Sequence, residues 1–189
     1  MGNNQIKEVP VYLFTGFLGS GKTGFIQETL EDPGFDEGGN TIILLCEEGE
    51  REFETEKFIS KKVKIIPVED EKTITPEYLD EIQKLTKCDR VIVEYNGMWL
   101  LDTLYTSLPE NWTVYQEMTF FDSQTILTFN NNMRNIVVDK MKSSETVVFK
   151  NFRGGMDKMP SHKLVRTINR RSTTIYEYGP NKVEGEESM

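Results

Sequence analysis

Short apolar runs alternate with stretches of helical period along this chain. Val9 to Thr15 is a mostly apolar run of strand length that ends in a glycine-rich turn. Thr23 to Leu30 follows with Phe25, Ile26 and Leu30 apolar, and predicts a helix. Asp32-Pro33-Gly34 and Gly38-Gly39 stop it and predict a loop. Strands are expected at Thr41 to Cys46, Val63 to Val68 and Arg90 to Val93. Between the last two, Pro76 to Leu85 has proline at its start and Leu79, Ile82 and Leu85 at helical spacing. Met98 to Leu104 predicts a helix and Thr113 to Phe121 a strand. Ser123 to Met141 predicts the longest helix, with Ile126, Leu127, Met133, Ile136, Val137 and Met141 apolar. A strand at Thr146 to Phe149, a loop at Arg153 to Asp157, a helix at Ser161 to Ile168 and a strand at Thr173 to Tyr178 complete the pattern. Strands alternating with helices predict an α/β fold in three layers. Its mostly parallel sheet of about six or seven strands would carry helices on both faces.

Composition fits one such unit. At 189 residues the chain has the length of one domain and enough mass to bury a core. The expected division is one domain over 1–179 and a polar, acidic, frayed tail over 180–189. The apolar fraction of 37% looks low, but the sequence has no alanine, so its apolar residues are mostly large. Lys and Arg number 22 against 31 Asp and Glu, a net charge of −9. That balance argues against sequence-independent nucleic-acid binding and against an anionic membrane surface as partner. The two cysteines, Cys46 and Cys88, do not make a secreted disulfide framework. No apolar run reaches the ~18 residues of a membrane span, and the N-terminus has no signal-peptide pattern. The expected location is cytoplasmic.

One segment carries the chemistry. Residues 16 to 23 read GFLGSGKT and satisfy G-x-x-x-x-G-K-[ST], the phosphate-binding P-loop. With glycine at ~7% of residues, a chain of this length holds roughly 0.007 such matches by chance. This one also follows a strand and opens a helix, as the mechanism needs. Backbone N–H groups of Gly16, Gly19, Ser20, Gly21, Lys22, Thr23 and Gly24 would surround a phosphate, helped by the helix N-terminus. Lys22 is expected on the β and γ phosphates and the Thr23 hydroxyl on Mg²⁺.

Two further strand ends supply carboxylates. In VIVEYNG, residues 91 to 97, Glu94 ends a buried strand where open α/β sheets bind ligands, and Gly97 lies three residues on. This E-x-x-G resembles the D-x-x-G whose glycine N–H senses a γ-phosphate; a plain strand-terminal turn would read the same way. CEEGEREFETE, residues 46 to 56, holds six glutamates. So much negative charge beside phosphate needs a cation between them. Cys46, Glu47 and Glu48 offer mixed soft and hard ligands for one. Glu52, Glu54 and Glu56 read better as a solvated acidic helix start.

These three pieces together resemble the CobW/HypB/UreG P-loop GTPases, most nearly the CobW-like branch, over residues 8 to 178. GFLGSGKT is close to that branch's GFLGAGKTT, CEEGE to its N-E-F-G-E, Glu94 to Gly97 to its E-x-x-G, and Asp122 to the aspartate ending its next strand. The resemblance implies a GTPase that loads, moves or inserts a metal ion such as zinc, often as a nucleotide-dependent homodimer with a metalloprotein client. Three departures accompany it. No C-x-C-C metal motif lies between Cys46 and Cys88. The guanine-reading N-K-x-D is replaced by FKNFRGGMD, with Lys150 and Asn151 in reverse order and Asp157 displaced. The length leaves no room for the C-terminal domain usual in that branch.

The expectation is therefore Mg²⁺-dependent binding and hydrolysis of GTP, with ATP as the alternative nucleotide. Lys22, Glu47 and Glu94 would be catalytic; Thr23, Glu47 and Glu94 would surround the metal. Gly97, Lys150 and Asn151 would contact the nucleotide. Turnover should be slow, since spacing cannot decide whether Arg51 or Arg134 is a cationic finger or a solvated arginine. A nucleotide sensor or scaffold with little hydrolysis is one alternative. A small-molecule kinase using the basic stretch His162 to Arg171 as a lid is another. His162, the sole histidine, reads as a surface residue.

Overall fold

A computed structural model describes residues 7–47, 49, 51–179 and 183–186. Among these, eight strands form one sheet in the order β3-β2-β4-β1-β5-β6-β7-β8. They are β1 (Val9–Gly16), β2 (Thr41–Leu45), β3 (Val63–Pro67), β4 (Arg90–Glu94), β5 (Trp112–Asp122), β6 (Thr146–Lys150), β7 (Thr173–Glu177) and β8 (Val183–Glu186). Every pairing is parallel except β7 with β8. The helices are α1 (Lys22–Glu31), α2 (Pro76–Thr86), α3 (Leu101–Ser107), α4 (Ile126–Asn132), α5 (Arg134–Met141) and α6 (Met159–Ile168).

The alternation of the central strands divides the core. Val11 and Leu13 of β1, Ile42 and Leu44 of β2 and Val91 and Val93 of β4 pack with Leu79 and Ile82 of α2 and Leu101 and Leu104 of α3. On the same face, Phe121, Val147 and Phe149 pack with Ile126 of α4, Val137 of α5 and Leu164 and Val165 of α6. Phe14, Ile43, Ile92 and Phe120 point the other way, onto Ile26 and Leu30 of α1 and onto Phe58. A parallel sheet buried on both faces explains why these strands read as continuous apolar runs. The covering is uneven: five helices on one face, and α1 with an aromatic loop segment on the other.

Three expectations shift. The long helix over 123–141 is two helices, broken at Met133, whose φ of −136° and ψ of 46° are non-helical. The run Asn130-Asn131-Asn132 precedes the break; asparagine favours local bonds over the helix ladder, and Asn132 Nδ2 bonds Thr128 O at 2.9 Å. The helix expected from Met98 starts at Leu101, because Asn96 Oδ1 accepts from Met98 N–H at 2.9 Å and holds 96–99 in a turn. Residues 183–186 of the tail add a strand rather than fray: β7 would otherwise present an open edge. Residues 180–182 and 187–189 lie outside the described residues. No described helix is long and apolar enough to cross a membrane.

Candidate functional site

β1 lies between β4 and β5, and the turns leaving β1 and β4 meet at the C-terminal edge of the sheet. They meet closely. A Cβ on Gly97 would stand 2.6 Å from Gly16 O and 2.8 Å from Phe17 Cα, so only glycine lets the two backbones touch. Gly21 sits at the N-cap of α1 with φ 94°, a left-handed conformation that suits glycine. Among the described residues no side chain caps this helix, which leaves its first-turn N–H groups facing the cleft. Ser20 N–H bonds Phe17 O at 3.1 Å and closes the turn.

Lys22 is 3% exposed. Its Nζ donates to Gly16 O at 2.7 Å, Phe17 O at 3.1 Å and Glu47 Oε2 at 2.6 Å. The other Glu47 oxygen accepts from Gly97 N–H at 3.3 Å. One carboxylate thus spans the P-loop lysine and the glycine amide after β4. Beside it, Thr23 Oγ1 donates to Glu94 Oε1 at 2.7 Å. Burial raises the Glu94 carboxyl above its ordinary range; the Thr23 bond and Lys22 oppose this, and the Glu47 charge adds to it. Glu94 Oε2 and Ser20 Oγ are buried without a hydrogen-bond partner among the described residues.

These groups bound a cleft of about 270 Å³ lined by Gly19, Gly21, Lys22, Thr23, Gly24, Glu47, Glu94 and Lys150. Leu18, Glu28, Gly49 and Arg51 line it too. Lys150 reaches it by crossing the P-loop: a Cβ on Gly21 would stand 2.4 Å from its Cδ, and its Nζ pairs with Glu177 at 3.1 Å. Asn151 does not line the cleft; its amide donates to Asp122 Oδ2 at 2.7 Å.

An oxygen-only set suits a hard cation. The hydroxyl of Thr23 and the unpartnered oxygen of Glu94 fit Mg²⁺. A soft metal fits less well. Cys46 is buried, its sulfur 4.0 Å from Leu44 O, and burial pushes its thiol far up, helped by Glu94 and Glu47. Glu48 lies outside the described residues. Among the described residues no three His, Cys, Asp or Glu side chains converge as a metal site.

Around the expected base-reading loop, Phe149 and Phe152 flank Lys150 and Asn151, and both are buried in the core with Tyr176. Aligned on the lysine, the positions of the asparagine and aspartate of N-K-x-D are therefore occupied by phenylalanine, which cannot pair with a guanine edge. Sequence reasoning missed this because it sought the polar residues in another order. The basic stretch 162–171 contributes no residue to the cleft: it lies on α6 and the following turn, with Arg166 bonded to Arg170 O and Ser172 O.

A parallel sheet with an uncapped glycine-rich turn between β1 and α1, a buried lysine in it and carboxylates from the neighbouring strand ends defines a P-loop nucleotide-binding domain. The chain belongs to the CobW/HypB/UreG family: the model of that family's nucleotide-binding domain matches residues 10–176. No curated protein matches the sequence. Among solved structures, Zn(II)-bound YjiA GTPase from E. coli is similar at a TM-score of 0.63 and 18% identity, covering 89% of this chain and 57% of that one. A Zn(II)-bound triple mutant of YjiA gives 0.65 and 17%, over 94% and 60%. The hydrogenase maturation factor HypB from Archaeoglobus fulgidus gives 0.60 and 17%, over 89% and 80%. The chain therefore spans under two thirds of the length of YjiA.

Proposed function

We propose that the chain, through residues 1–179, binds a nucleoside triphosphate with Mg²⁺ and hydrolyses its terminal phosphate, with GTP as the nucleotide and ATP as the alternative. One observation carries this reading: Glu47 bridges Lys22 Nζ and Gly97 N–H, at 2.6 and 3.3 Å. A cation and a backbone donor converge on a single anionic group, as the end of a phosphate chain requires. With nucleotide bound, the terminal phosphate takes these two donors and Glu47 leaves them. Lys22 then neutralises the developing charge, and the α1 amides hold the phosphates that remain. Thr23 and Glu94 would hold Mg²⁺, which would supply neutralisation of phosphate charge. Freed from Lys22, Glu47 stands beside the terminal phosphate, where its carboxylate orients the attacking water. That water adds to the phosphorus as the bond to the bridging oxygen breaks, giving the diphosphate and inorganic phosphate.

Guanine is assigned from the family and from the GTPases it resembles in fold. Titrating GTP and ATP with and without Mg²⁺, and following phosphate release, tests both parts. ATP binding at least as tightly as GTP would sink the guanine assignment. Tight binding without release would favour the sensor or scaffold reading, which the phenylalanines at 149 and 152 support. A role in metal insertion, a metalloprotein client, a nucleotide-dependent homodimer and a cytoplasmic location rest on family membership alone. For the first, zinc or cobalt binding should be compared between the wild type and Cys46→Ser; no bound metal in either would remove it.

A further inference from the structure

The loop that leaves β2 runs in step with the P-loop. Glu47 bonds Lys22 at 2.6 Å. A Cβ on Gly49 would stand 3.5 Å from Thr23 Oγ1, and one on Gly24 would stand 3.1 Å from Arg51 Nη1. Positions 47, 49 and 51 therefore meet 22, 23 and 24 in turn. The first two meetings are with groups that the proposed function places on phosphate and Mg²⁺. The third lays a guanidinium over the first turn of α1.

The geometry points to Arg51 as a phosphate-binding residue supplied in cis, seated over the nucleotide's inner phosphates by the missing side chain of Gly24. The inference rests on the nucleotide-binding reading and deepens it. Arg51 lines the same cleft as Lys22, Thr23 and Lys150. Its ion pair with Glu54 is long, 3.9 Å, and half exposed, whereas Glu54 has a nearer partner in Lys57 at 2.7 Å. Among the described residues, the guanidinium thus has no tight ion pair to give up. Glycine is a poor residue for a helix, yet position 24 is inside α1. Any Cβ there would press on the guanidinium. Glu28, also in α1, puts a carboxylate on the same wall, so a polyanion lying along it needs a cation. Arginine's planar fork matches phosphate oxygens better than an ammonium does. Arg134, the rival by sequence, donates to Asn130 Oδ1 at 3.0 Å and does not line the cleft. Glu47 and Gly97 mark the terminal phosphate. Arg51 meets α1 two residues beyond Lys22, over the part of the chain that diphosphate and triphosphate share.

The test is the affinity of Mg²⁺-loaded triphosphate and diphosphate, of whichever base the wild type prefers, for Arg51→Ala, Arg51→Lys, Gly24→Ala and the Arg51→Ala/Gly24→Ala double variant. Losing a charge-assisted hydrogen bond should weaken both nucleotides roughly tenfold or more in Arg51→Ala. Arg51→Lys should recover only part of this. Gly24→Ala should lose affinity while melting no lower than the wild type, since alanine suits the helix better. The double variant should bind no more weakly than Arg51→Ala. Affinities for both nucleotides within about twofold of wild type in Arg51→Ala, with Lys22→Ala still weakening triphosphate binding about a hundredfold, would overturn the role of Arg51 and leave the nucleotide reading standing. A loss confined to the triphosphate would overturn the inner-phosphate assignment. A wild type that binds neither nucleotide would remove both.

Discussion

Two of the regions that bury charge among the described residues do it differently. At the C-terminal edge of the sheet, Lys22, Glu47 and Glu94 converge with bonds left over: Glu94 Oε2 and Ser20 Oγ are buried without a partner among the described residues. Between α3, β5 and α5, Glu117, Asp139 and Lys140 are also buried, but every polar atom is engaged. Glu117 accepts from Tyr105 Oη and from Ser143 Oγ, the latter at 2.9 Å. Asp139 accepts from Leu101 N–H at 3.0 Å and Lys142 Nζ at 2.8 Å, and lies 3.4 Å from Lys140 Nζ. Lys140 donates to Trp99 O and sits over the Tyr95 ring. A satisfied network of this kind pins three elements in one arrangement. An unsatisfied one keeps valences for a ligand. Burial of charge alone does not mark a site; incomplete pairing at a strand-end cleft does.

The comparison can be broken from either side. Asp139→Ala should have the largest effect. It strands the Lys140 ammonium and the Leu101 N–H, and breaking a buried pair costs about 3–5 kcal/mol. Urea denaturation should show that loss, while the protein still folded binds nucleotide within about twofold of wild type. A nucleotide defect larger than the folding defect would mean that the two regions are coupled. Lys22→Ala should do the reverse: affinity for Mg²⁺-loaded triphosphate falls about a hundredfold, or about 2.7 kcal/mol. Glu47→Gln separates the carboxylate's two proposed states. It removes the competitor for Lys22, so the triphosphate should bind up to about tenfold more tightly while phosphate release slows. Weaker binding would show that Glu47 holds the ligand rather than standing in for it.

How much of this was legible in the sequence follows the same division. The strand, turn and helix over 9–31 were plain, because the P-loop motif is local and its chemistry fixes its shape. Glu47, Glu94 and Gly97 were found by their places after apolar runs, and the structure brings them to Lys22. What failed to show was whatever depends on distant partners. Glu117 and Asp139 are ordinary acidic residues until Tyr105, Ser143 and Leu101 are folded onto them. Lys150 is expected at the nucleotide as part of a reversed N-K-x-D, yet it reaches the cleft by lying across Gly21. The strand Val183–Glu186 has no apolar alternation to announce it; it forms because β7 offers an edge. The break at Met133 was hidden because the apolar spacing of 126–141 runs on through an asparagine run that the period ignores.

The smallest effect sharpens the comparison through pH. Burial raises the Glu117 carboxyl above its ordinary range; the Tyr105 and Ser143 bonds oppose this, while the Asp139 and Glu145 charges add to it. Between the unfolded and the folded pKa, the native state therefore holds the proton that the unfolded state has released. Stability then falls as pH rises through that window, the opposite of a salt-bridged carboxylate. Glu117→Gln keeps an acceptor for Tyr105 and has no proton to lose. Relative to wild type it should gain stability as pH rises above the ordinary carboxylate range. Below that range, where the wild-type carboxyl is protonated in both states, the gain should vanish. Chemical denaturation of the two proteins between pH 4 and pH 8 would measure it. A wild type that gains on Glu117→Gln as pH rises would show that the Glu117 carboxylate is held by its donors as an ion. The α3–β5–α5 network would then be a charged one that happens to be complete, and completeness alone would no longer separate it from the cleft.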